Sequence, residues 1–117
     1  MAALSTLGWR ASDDDRRAPL ERCRAVLRRE GFTVSWAFID RVDRGPRPPD
    51  LMAANGPRTV RVFVLLDGEI DAAETRERVR AAARDGETRL WVPWPLRWLA
   101  LSNLDRWGVQ GVPVLGW

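Results

Sequence analysis

A single α/β domain, one mixed sheet flanked by helices, is the fold class this sequence predicts. Three observations carry that expectation. The segment TVRVFVLL, residues 59–66, is nearly continuous in apolar side chains, as a central strand covered on both faces must be. Strand-like and helix-like segments alternate through the second half of the chain, which favours parallel pairing with right-handed crossovers. The length, 117 residues, suits one domain.

Residues 1–16 read as an N-terminal arm, with Leu7 and Trp9 available to tuck against a domain spanning residues 17–117. Ser12 and the run Asp13, Asp14, Asp15 suit a helix start, because a cap and negative charge both satisfy the free N–H end. Leu20, Cys23, Val26 and Leu27 recur at helical spacing, and Gly31 is a natural stop, so a helix is expected over about residues 17–30. In FTVSWAF, Phe32, Val34, Trp36 and Phe38 alternate with Thr33, Ser35 and Ala37, the period of a strand. DRVDRGPRPPD is polar and rich in Pro and Gly, hence a turn or irregular hairpin. DLMAA is a short second strand ending at an Asn55-Gly56 turn signal.

In the central strand, Val60, Val62, Val64 and Leu66 face one way; Arg61, Phe63 and Leu65 face the other. Residues 71–85 are expected to be helical. Asp71 and Glu74 resemble a capping box, Glu74 and Arg78 are spaced to pair, and Ala72, Val79, Ala82 and Ala83 make a thin face for close packing on a sheet. TRLWVP is a further strand. Pro95 opens a helix with Leu96, Leu99, Ala100, Leu104 and Trp107 near one stripe, ended by Gly108. GVPVLGW is a short edge strand, since Pro113 has no N–H to donate.

Composition narrows the chemistry. The chain has no His, Lys or Tyr; all 19 basic residues are Arg. The usual proton-transfer groups near neutral pH are therefore missing, and Arg, always protonated, is a poor base. Catalysis would have to rest on carboxylates and a metal. One cysteine makes no internal disulfide, and without histidine a zinc site is excluded. No segment approaches the ~20 apolar residues of a membrane span, and the N-terminus lacks signal-peptide features, so the expected compartment is the cytoplasm. A net charge of +3 permits a nucleic-acid partner without requiring one.

The element order, with Pro49-Asp50 ahead of an apolar strand, resembles the PD-(D/E)XK nuclease superfamily. This is the restriction-endonuclease-like fold, shared by Holliday junction resolvases and many small phage and plasmid nucleases. The resemblance covers roughly residues 17–115 and implies an αβββαβ core, here followed by an extra helix and short strand. In that family an Asp near the second strand and a Glu-x-Lys or Asp-x-Lys on the third hold divalent metal. Asp50 matches the first ligand. Aligned on VLLDG, Leu65 stands at the carboxylate position and Asp67 at the lysine position, and both depart from the pattern. Leu65 offers no oxygen to a hard cation, and Asp67 has the wrong sign.

The resemblance thus implies a catalytically inactive member, with no cofactor expected, acting as a nucleic-acid-binding or protein-docking module in a cytoplasmic, phage or mobile-element setting. Two alternatives stand beside it. One is a divergent nuclease in which Asp50, Asp67 and Glu69 hold Mg or Mn, Asp50 and Asp67 foremost, while Arg76 or Arg80 replaces the lysine's charge. Against this, Asp67 and Glu69 around Gly68 read as an ordinary polar turn. The other is an unrelated small α/β interaction domain.

Seven tryptophans are many for this length, and five lie after residue 90. Trp36, Trp91 and Trp107 suit the core. WVPWPLRW crowds too many rings near one turn to bury them all. Trp94 and Trp98, with Arg89, Arg97 and Arg106, are the candidate contact patch, for nucleic acid or for a homodimer. Arg16, Arg17, Arg22, Arg24, Arg28 and Arg29 read as a solvated helix face balanced by Glu21, Glu30 and the Asp triplet. Cys23 falls on the apolar stripe and reads as a small buried hydrophobe.

Overall fold

The computed structural model describes residues 13–36 and 49–117. Helix α1 (Asp13–Arg29) leads into strand β1 (Thr33–Trp36), followed by β2 (Leu51–Asn55) and β3 (Arg58–Val64). A 3-10 turn (Asp67–Glu69) precedes α2 (Ala73–Asp85) and β4 (Thr88–Val92). A second 3-10 turn (Trp94–Leu96) runs into α3 (Arg97–Arg106), and β5 (Val114–Gly116) closes the chain. The five strands form one sheet in sequence order. β1, β2 and β3 are antiparallel neighbours, whereas β3, β4 and β5 are parallel. The sheet is therefore mixed, with β3 joining the two halves.

The alternation along β3 sorts the core into two layers. Val60, Val62 and Val64 pack with Leu51 and Ala53 of β2 against Leu20, Cys23 and Leu27 of α1. Phe63 and Leu65 point the other way and pack with Leu90 and Val92 of β4 against Val79 and Ala82 of α2 and Ala100 and Leu104 of α3. Each buried Val or Leu contributes about 1.5–3 kcal/mol from removing apolar surface from water. The two crossover helices share a face, as two crossovers of one hand moving in one direction require. Trp91 lies in the core, and Trp107 packs partly buried against it. Phe38 and most of the polar segment after β1 fall outside the described residues, as does the placement of the Trp36 side chain.

Several local expectations are corrected. α1 begins at Asp13, not near residue 17. The hairpin between β2 and β3 turns on Gly56-Pro57, since Asn55 still pairs with Arg58; Gly56 adopts φ 61, which glycine accommodates without strain. The Asp71–Glu74 capping box does not form. α2 starts after Ala72, with no side-chain cap, and Asp71 instead accepts a hydrogen bond from Asn103 Nδ2 at 2.7 Å. Asn103 is fully buried and also donates to the Ile70 carbonyl at 3.1 Å, tying α3 to the segment before α2.

Candidate functional site at the end of strand β3

Asp50 enters the sheet just before β2, its N–H donating to the Val62 carbonyl at 3.0 Å. That bond sets the Asp50 side chain beside the C-terminal end of β3. The carboxylate is 2 % exposed. Its Oδ2 accepts the Val64 N–H at 2.7 Å, and its Oδ1 lies 3.8 Å from Arg78 Nη2. Arg78 is itself buried, with its guanidinium over the Phe63 ring, 4.9 Å from the centroid. A charged pair at this depth persists because opposite charges offset each other's loss of solvent and the Val64 N–H donates to the carboxylate.

A second pair lies alongside. Arg16 of α1 reaches across the end of β3. Its Nη1 donates to the Val64 carbonyl at 2.8 Å and to Glu69 Oε1 at 2.9 Å, while Nη2 donates to Glu69 Oε2. The fork is bidentate, the strongest geometry for a guanidinium and a carboxylate. Glu69 Oε1 also accepts the Leu66 N–H at 2.9 Å. Burial alone would push the Glu69 carboxyl up, but the Arg16 hydrogen bonds, the Leu66 N–H and the charges of Arg16 and Arg78 outweigh it and hold it below its ordinary value. Val64 is thus straddled. Its N–H is held by Asp50 and its carbonyl by Arg16. Two carboxylates and two guanidiniums close a charge-balanced network that joins α1, β2, β3 and α2.

The residues chosen from the sequence fare unevenly. Asp50 and Glu69 both enter this network, although as ion-pair partners. Asp67 is exposed at the head of the 3-10 turn, and Leu65 is 1 % exposed inside the α2–α3 core. Among the described residues, no three acidic or thiol side chains are spaced to hold a metal ion. The set Asp50, Asp67 and Glu69 does not form such a group. Neither Arg76 nor Arg80 takes the lysine's place. Both are exposed, Arg76 lying 3.4 Å from Glu77. The inward cations are Arg78 and Arg16, which sequence reasoning missed. Arg78, expected to pair on the surface with Glu74, points into the protein instead.

The second candidate group also separates. Arg89 is mostly covered. It pairs with Glu30 at 3.1 Å and lies near the Phe32 ring, on the α1 face of the sheet. Arg106 is exposed but turns toward Asn103 and Asp71. Trp94 and Trp98 stay together on the outside of the second 3-10 turn and α3, 60 % and 66 % exposed. Arg97 lies over the Trp94 ring at 4.5 Å, its Nε donating to the Val114 carbonyl at 3.2 Å. Trp94 is anchored from below, its N–H donating to the Trp117 carbonyl at 2.7 Å. Gly116 sits so close that an added Cβ would come within 3.0 Å of the Trp94 backbone.

No protein-family model, curated protein or solved structure matches the chain.

Proposed function

We propose that the chain is a catalytically inactive PD-(D/E)XK-like domain that works in the cytoplasm as a docking module. The observation that carries the proposal is the state of Asp50. In the resembled family this Asp opens toward a metal. Here its carboxylate is buried, paired with Arg78 and bonded to the Val64 N–H. The order of elements, α1, β1, β2, β3, α2, β4, supports the resemblance, as does the placement of Asp50 beside the end of β3. Leu65, buried at the expected carboxylate position, offers no oxygen to a hard cation. The exposed Trp94–Trp98 face is what such a domain offers to a partner.

The test is a cleavage and binding series with single-stranded, duplex and branched DNA, with Mg²⁺ and Mn²⁺. The expected result is no cutting of any substrate. Metal-dependent cutting that disappears in Asp50→Ala would overturn the proposal.

A further inference from the structure

We propose that the outer stripe of α3 docks, antiparallel, on the same stripe of a second copy of this chain. The proposal deepens the docking reading by naming the partner.

α3 is apolar on two sides. Its inner side, Ala100 and Leu104 with Leu96, Leu99 and Trp107 around them, already packs in the core. Its outer side carries Trp98 and Leu101, the latter 48 % exposed, and continues the exposed surface of Trp94 in the 3-10 turn before it. The two indoles alone leave on the order of 300 Å² of ring surface open, the size of the largest patches that monomers ordinarily show. The platform is held in place by the Trp94–Trp117 main-chain bond and the close approach of Gly116.

Charge selects the occupant. The stripe continues one turn past Leu101 to Asp105, an exposed carboxylate. Arg97 lies one turn before Leu101. The two charges are opposite and equidistant from Leu101. A two-fold axis through Leu101 therefore sets Arg97 against Asp105 of the second copy, twice, and opposes the two helix dipoles. A polyanion fits less well. It would meet the exposed Asp105 carboxylate on the stripe. The patch is smaller than the ~800 Å² per partner of a standard interface, which implies a dimer that dissociates on dilution.

Sedimentation equilibrium across the micromolar range reads the outcome, with melting curves to show that each variant is folded. The wild-type chain is expected to dimerise. Trp98→Ser should be monomeric, Asp105→Arg and Arg97→Asp should each weaken the dimer at least about tenfold, and the double variant should recover most of that loss. A wild-type monomer at all concentrations would overturn the proposal. So would a dimer indifferent to Trp98→Ser, a double variant no better than either single, or a monomer that binds single-stranded DNA through Trp98. Failure here leaves the inactive-site reading standing, because DNA cleavage tests that separately.

Discussion

Removing the Asp50 carboxylate would take away the negative charge 3.8 Å from the buried Arg78 guanidinium. Asp50→Ala is therefore expected to cost about 3–5 kcal/mol in unfolding free energy, measured by urea denaturation. A true metal-ligand Asp behaves oppositely, since removing one of several clustered carboxylates relieves repulsion and commonly stabilises. The neighbouring pair gives a pH signature. Glu69 titrates below its ordinary value near 4.5 in the folded protein, so its stabilising contribution is complete above that value. It is lost as pH falls through the lower folded value. Glu69→Gln should flatten the acid limb of the stability curve while leaving stability above pH 7 independent of pH; an unchanged acid limb would refute the assignment. Both guanidiniums were legible only in part. Arg78 falls between Thr75, Val79 and Ala82 on the inward stripe of α2, and Arg16 extends the stripe of Leu20, Cys23 and Leu27. A charge on an apolar stripe was the available signal. Helical spacing also paired Arg78 with Glu74 on the surface, and burial prevailed because Asp50, distant in sequence, supplied the partner.

At the scale of elements, α1 and α3 are fastened by single polar side chains at their ends. Asn103 offers the clearest test. Asn103→Leu removes both donors and leaves the buried Ile70 carbonyl without this bond, a loss of about 1–3 kcal/mol. Cys23 reports on α1 packing. Burial pushes its thiol up to about 12, with Arg89 opposing and Asp50 and Glu30 reinforcing the shift. At neutral pH it should resist a thiol reagent in the native protein and react at the unfolding rate; rapid native labelling would mean that α1 detaches. Strands and helices were readable from periodicity, including the two faces of β3. Element starts were less so. α1 begins earlier than its apolar stripe, because the Asp triplet forms its first turn rather than standing before it. α2 begins later than Asp71, because Asn103 draws that carboxylate away from the capping role.

For the whole molecule, a central strand covered on both faces, two crossovers and an edge strand after Pro113 were all implied by the sequence, and the sheet is built that way. None of the described helices is long and apolar enough to cross a membrane. The exposed pair Trp94 and Trp98 was also legible, since one short turn has no room to bury every ring. Their separation from Arg89 and Arg106 was not, because it depends on which sheet face and helix side each residue occupies. The ion pairs at the β3 end join α1, β2, β3 and α2, so their role as an ionic brace rather than a metal centre is open to a direct test. Thermal melting with and without Mg²⁺ or Mn²⁺, beside Asp50→Asn, tests this most directly. A cation whose Kd is one-tenth of its free concentration stabilises by about 1.4 kcal/mol, a shift of several degrees in Tm. The expected result is no metal shift and a lower Tm for Asp50→Asn. A metal-dependent rise in Tm that Asp50→Asn abolishes would contradict that role.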